Sequence, residues 1–156
     1  MSDTVALLRT VADYQFGTGA GVVLFPADEE RSLTRTGSGR PRQVHVPDGR
    51  IATYGTDGRL RLGLAGGRRL HADWSGGEQA YCVTVGAESR PYVREGRNAF
   101  SKFVHRADSG IRPRDEVVVE HDGQLLAVGR AELAGDGMLD FETGVAVSVR
   151  EGAQSS

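Results

Sequence analysis

Eighteen arginines and a single lysine, Lys102, carry the positive charge of this chain, and their grouping is its first chemical signal. Between Arg31 and Arg69 nine arginines meet only Asp48 and Asp57, whereas between Asp115 and Glu142 eight acids meet only Arg130. The formal charge of −2 therefore hides two opposed fields, and a basic stretch of that density attracts phosphate. Guanidinium groups bind phosphate oxygens through paired N–H donors, so several arginines brought to one surface can track a nucleic-acid backbone. The candidates for that surface are Arg40, Arg42, Arg59 and Arg61, with Arg94, Arg97, Lys102 and His105 further along.

Other chemistries find less support. The four histidines, His45, His71, His105 and His121, lack the spacing of metal ligands, so no metal and no cofactor is expected. Cys82 is the only cysteine, which excludes an internal disulfide and a thiolate cage; it alternates with Thr84 along a strand pattern and reads as structural. The acids between Asp115 and Glu142 fall mostly at strand ends and turns, where solvated charge is the ordinary explanation. The glycines of GTGAGVVLF do not suit a phosphate loop, because the segment leaves a helix and is expected to enter a strand at Val22 to Phe25.

The elements that must position these residues follow from periodicity. TVALLRTVADYQ, residues 4 to 15, has a stripe of Leu7, Leu8, Val11 and Ala12 and reads as a helix, capped by Ser2, Asp3 or Thr4 and ended by Phe16-Gly17. Residues 31 to 72 read as a meander of hairpins, with turns at Asp48-Gly49, Asp57-Gly58 and Gly66-Gly67 and with Arg59 and Arg61 on one face. DWSGGEQ, residues 73 to 79, reads as a link in which Trp74 takes a packing role, and Tyr81 to Gly86 as the strand that opens a second region. Within REGRNAFSKFV a short amphipathic helix would place Ala99, Phe100, Phe103 and Val104 on one side, and Arg97, Asn98, Ser101, Lys102 and His105 on the other. Then come a strand at Val117 to Val119, a turn at Asp122-Gly123, a returning strand with Leu125, Ala127, Gly129, Ala131 and Leu133 on one face, and a last strand alternating at Val145, Val147 and Val149. The tail EGAQSS is expected to fray.

GRNAFSKFV, IRPRDEVVVEHDGQLLAVGRAEL and the closing GVAVSVR resemble the PUA domain in the version found at the C-terminus of archaeal tRNA-guanine (archaeosine) transglycosylases. TRTGSGRPRQV followed by GRIATYGTDGRLRL is similar to the domain that precedes it there. The expected fold is thus α+β: a helix-plus-β-meander subdomain over 1 to 78, packed on a PUA-like β-barrel over 79 to 152. The resemblance implies RNA as the partner, tRNA at its acceptor-stem end, and a tRNA-modifying enzyme assisted in trans. Since 156 residues leave no room for the transglycosylase catalytic barrel, a non-catalytic role is expected. The alternative is a protein-interaction module without specific RNA binding. No signal peptide or membrane span is apparent, which points to the cytoplasm.

Overall fold

The structure, a computed structural model, describes residues 2–27, 29–75 and 80–153; the chain divides into two compact units, Met1–Asp73 and Trp74–Ser156.

In the first unit, helix α1 (Ser2–Phe16) buries Val5, Leu8, Ala12 and Phe16 along one face. The stripe is rotated from the expected one: Leu7 is 44 % exposed, and Val5 and Phe16 take its place in the core. Ser2, Asp3 and Thr4 lie inside the helix rather than capping it. Gly17 ends it in the left-handed region, its N–H donating to the Asp13 carbonyl. A second helix, α2 (Ala20–Leu24), stands where a strand was expected at Val22 to Phe25. A short apolar run does not distinguish the two, and here the Asp13 carboxylate decides by accepting the N–H groups of Gly19 at 3.2 Å and Gly21 at 2.7 Å.

The meander forms as the turn signals require. Strands β1 (Ser32–Arg35), β2 (Pro41–Val46), β3 (Gly49–Tyr54) and β4 (Leu60–Leu62) lie in sequence order in one antiparallel sheet. The Gln15 side chain pins β4 to α1 through two 2.7 Å bonds, its amide donating to the Leu60 carbonyl and its oxygen accepting the Leu60 N–H. Gly66-Gly67 is not a turn but part of helix α3 (Leu64–Ser75). Close packing explains the glycine, since a Cβ on Gly66 would strike the carbonyl of Ile51. Asp73, Trp74 and Ser75 finish that helix instead of starting a link, and residues 76–79 of the expected link lie outside the described residues.

The second unit is a nearly closed six-stranded sheet ordered β6-β10-β9-β8-β5-β7. Its strands are β5 (Cys82–Val85), β6 (Ala99–Phe100), β7 (Val104–Ala107), β8 (Glu116–His121), β9 (Gln124–Ala131) and β10 (Val145–Gly152), with short helices α4 (Arg90–Arg94) and α5 (Gly135–Met138). Val83, Val85, Val117, Val119, Leu126 and Val147 are among the buried side chains of one core, joined by Val93 of α4 and Met138 of α5. The β8–β9 turn is the expected Asp122-Gly123 pair, with φ of 50° and 78°.

One expectation fails here. Residues 94 to 105 do not form an amphipathic helix: α4 ends at Arg94, Gly96 turns the chain at φ 103°, and β6 is followed by a 3₁₀ turn (Ser101–Phe103) and β7. Ala99 and Val104 are buried as expected, but Phe100 is 44 % exposed and Phe103 half-buried. Two strands flanking a 3₁₀ turn space apolar residues much as one helix does, so the periodicity was ambiguous. The tail is likewise more ordered than expected through Gly152, which belongs to β10; residues 154–156 lie outside the described residues.

Candidate nucleic-acid interface

In the first unit the expected arginines are spread along the strands and turns of the sheet. Val44 pairs with Ala52 and Ala52 with Leu62, whereas Gln43 pairs with Thr53 and Thr53 with Arg61. The pleat alternates, so Arg61 lies on the face opposite Val44, Ala52 and Leu62, while Arg42 stands at a register shift between β1 and β2 and Arg59 just ahead of β4. Arg40 sits 4.4 Å over the Tyr54 ring and donates to the Gly55 carbonyl. The Arg61 guanidinium lies against Gly55, 3.7 Å from the Asp57 carboxylate. Arg42 is exposed. Much of the remaining positive charge in this unit holds structure. Arg9 donates to the Phe25 carbonyl and Arg31 to that of Pro26, while Arg69 grips Glu29 with both terminal nitrogens and also donates to Leu24. That grip holds the Glu29 carboxyl below its ordinary range.

In the second unit cations collect around α4. Pro91 in the first turn starts this helix and Val93 anchors it in the core, with Tyr92 exposed and Arg90 and Arg94 half-buried. Arg90 and Arg94, four residues apart, line an open cleft of about 360 Å³ with Ala87 and Pro91. Among the described residues neither guanidinium has a hydrogen-bond or ion-pair partner. Beside them Tyr92 is 51 % exposed, with the Arg97 guanidinium 5.7 Å from its ring centre. Phe100 is also exposed, and Lys102 lies 5.0 Å from the Phe103 ring. Cations next to open aromatic faces can hold phosphates while a base stacks.

His105 stands apart from this set. Its imidazole and the Glu88 carboxylate together fill the space that a Cβ on Gly86 would occupy, so its immediate neighbour is an acid rather than a cation. The helical face proposed to join His105 to Lys102 does not exist, because the two residues fall on a 3₁₀ turn and a strand. Cys82 is buried, and burial, reinforced by the nearby Glu120 carboxylate, pushes its thiol far above the ordinary range; it does not offer a thiolate. Sequence reasoning missed Arg90 and Tyr92, although Ser89-Arg90-Pro91 is a usable helix-start signal that would have shifted the helix one turn earlier.

Comparison with known proteins matches this architecture. Residues 6–75 match the family model of the patch-forming domain C2 of tRNA-guanine transglycosylase, and residues 81–153 match that of the PUA domain. The tRNA-guanine(15) transglycosylase of Methanothermobacter thermautotrophicus is 41 % identical over 152 residues, covering 96 % of this chain and 23 % of that enzyme. The Pyrococcus furiosus enzyme is 40 % identical over 154 residues, 97 % of this chain and 25 % of its own length. This chain thus spans about a quarter of the curated relatives it matches. Among solved structures, a hypothetical protein of Pyrococcus horikoshii superposes with a TM-score of 0.77 at 20 % identity, over 99 % of this chain and 92 % of that one, and so shares the fold. A conserved PUA domain protein from Thermoplasma acidophilum gives a TM-score of 0.55 at 17 % identity, over 92 % and 89 %.

Proposed function

Because this chain belongs to the PUA-domain family, with a domain of the transglycosylase C2 kind ahead of the PUA domain, we propose that it binds RNA without changing it covalently. The observation that carries the reading is the surface around α4, where Arg90 and Arg94 line an open cleft next to the exposed ring of Tyr92. Guanidinium groups without partners among the described residues are available to phosphates, and an aromatic face accepts an unpaired base. Likeness to tRNA-guanine(15) transglycosylases supports tRNA as the RNA, and the acceptor-stem end is the part proposed to be bound. By the same likeness the chain presents that tRNA to a modifying enzyme. Arg94, Arg97 and Lys102 remain in the proposed contact surface and Arg90 and Tyr92 join it; Arg40, Arg42, Arg59 and Arg61 form a second, more dispersed set. Their partners in the fold make Arg40 and Arg61 the weaker contributors.

The deciding experiment is a titration against matched tRNA with and without its CCA end at several salt concentrations. Tight binding that needs the CCA end supports acceptor-end recognition. Equal and weak binding to both, with a steep salt dependence, reduces the activity to nonspecific electrostatics.

A second reading, docking of a protein, draws on the segment after α5. Leu139 and Phe141 are 52 % and 51 % exposed there, among the exposed acids Asp136, Asp140 and Glu142. RNA affinity no better than that of a neutral control domain would favour it.

A further inference from the structure

Helix α1 uses its charges on its neighbour and leaves none for water. From Thr4 to Phe16 it holds two charged residues, Arg9 and Asp13. Arg9 Nε donates to the Phe25 carbonyl at 2.7 Å, and the Asp13 carboxylate accepts the N–H groups of Gly19 and Gly21, so both tie α2 to α1. The two helices touch closely there, since a Cβ on Gly21 would stand 2.5 Å from the Arg9 carbonyl oxygen. What α1 turns to solvent over this length is Ala6, Leu7, Thr10 and Tyr14, with Tyr14 90 % exposed. A surface helix ordinarily carries charge on the side away from the core, and this one carries an uncharged strip. Its order is regular. Thr4, Leu7, Val11 and Tyr14 follow at intervals of three, four and three residues, the spacing at which one helix meets another along a seam. The series reads the same from either end, so two copies laid antiparallel match in one register, Leu7 against Val11 and Thr4 against Tyr14.

We propose that this strip is the contact through which two copies of the chain pair, their α1 helices antiparallel about an axis level with Arg9. Charge agrees with that register. The Arg35 guanidinium stands at one end of the seam, donating to Thr4 Oγ1 at 3.4 Å and to the Gly39 carbonyl at 2.9 Å. Pairing brings it beside the Tyr14 ring of the second copy, a cation beside an open aromatic face. The exposed large apolar side chains of the first unit, Leu7, Tyr14 and Val22, all lie on α1 or α2, so its helical layer is the side that gains from being covered. A nucleic acid gains nothing from an uncharged strip, whereas a second copy meets its own complement. Two helix strips of this length cover less than the ~1,200 Å² of a stable interface, so the pair is reversible, with a dissociation constant on the order of 10–100 μM. The pairing is independent of RNA binding, and the loss of either leaves the other standing.

The test is sedimentation equilibrium of the full chain without RNA, over roughly 5 to 500 μM. Wild type is expected to pass from monomer to dimer across that range and to stop at two copies, because a two-fold contact closes on itself. Leu7→Glu alone and Val11→Lys alone should each raise the dissociation constant at least about tenfold, since each sets a charge against an apolar side chain. Their equimolar mixture should pair again: position 7 of one chain meets position 11 of the other, which gives one charge pair and one native contact. A parallel pair sets position 7 against position 7 and gains nothing from the mixture. Tyr14→Glu mixed with Thr4→Lys repeats the test at the ends of the seam, where neither side chain belongs to the core. A wild type that stays monomeric throughout, or that grows beyond two copies, overturns the proposal. So does a dimer that survives Leu7→Glu and Tyr14→Glu, or a loss of pairing that neither mixture restores.

Discussion

The two units treat their arginines in opposite ways. Before residue 74 the chain is the more basic by count, yet Arg9, Arg31, Arg40, Arg61 and Arg69 are each engaged by a carbonyl, a carboxylate or a ring of the same unit. After it, fewer cations stand around α4, but Arg90 and Arg94 face an open cleft with no such partners among the described residues. A guanidinium already satisfied by the fold must break those bonds before it can take a phosphate, and the exchange yields little. Charge density along a sequence therefore overstates binding where the arginines are structural and understates it where a few are free.

Substitution can break this contrast or make it sharper. Reversing both cleft charges, Arg90→Glu with Arg94→Glu, should cost the largest effect: RNA affinity lower on the order of 100-fold and a log–log salt slope smaller by about 2, read by anisotropy. The melting temperature should move little, since neither side chain has a hydrogen-bond or ion-pair partner among the described residues. Arg69→Ala should do the reverse. It removes a two-pronged grip on Glu29 by side chains about four-fifths buried and should cost about 2 kcal/mol in urea denaturation, between the values for exposed and fully buried pairs, with RNA affinity unchanged. Equal RNA-binding losses from these two variants would erase the distinction between the units.

Arg40→Glu with Arg42→Glu is intermediate. Arg42 is free to contribute, while Arg40 is occupied by Tyr54 and Gly55, so affinity should fall about threefold and the salt slope by about 1. A loss as large as that from the cleft variant would make the sheet of the first unit an equal partner. The smallest effect is one of acidity. Arg69 lowers the Glu29 pKa from its ordinary 4.5, so the stabilisation from this pair is fully present above pH 4.5 and is lost as pH falls through the lower folded value. The stability gap between wild type and Arg69→Ala should then be constant near neutrality and narrow below pH 4.5 in a series of denaturation curves. Glu132, held down by the Ser148 hydroxyl and Arg130, adds a loss of the same sign in the second unit, and that one should persist in Arg69→Ala.

Much of the fold was legible because its signals are local. Asp122-Gly123 demands positive φ at both residues, and it turns the chain where the sequence says it should. α1 was legible to within a residue or two at its ends, although the rotation of its buried face needed the packing partners that exposed Leu7 and buried Val5. What stayed hidden depended on distant residues. Gly66-Gly67 resembles a turn until the carbonyl of Ile51 is seen against it, and Val22 to Phe25 resembles a strand until Asp13 reaches the start of α2. The candidate site suffered from the same limit. Arg94 and Arg97 were found by type, but the helix that carries Arg94 was set one turn late, so Arg90 and Tyr92 were missed and Phe100 was assigned to the interior. Phe103→Ala, which a buried helix face would penalise by ~3 to 5 kcal/mol, should cost about half as much from its half-buried place.

Gly152 has a consequence for the order in which this protein becomes competent. A Cβ there would strike the carbonyl of Arg94 and the N–H of Gly96, so the end of β10 is pressed directly against the exit of α4. The helix that carries the cleft arginines is thus braced by residues made more than fifty positions later. During synthesis those arginines emerge long before this brace, and the support that β10 gives α4 arrives only when the last strand joins β9 and β6.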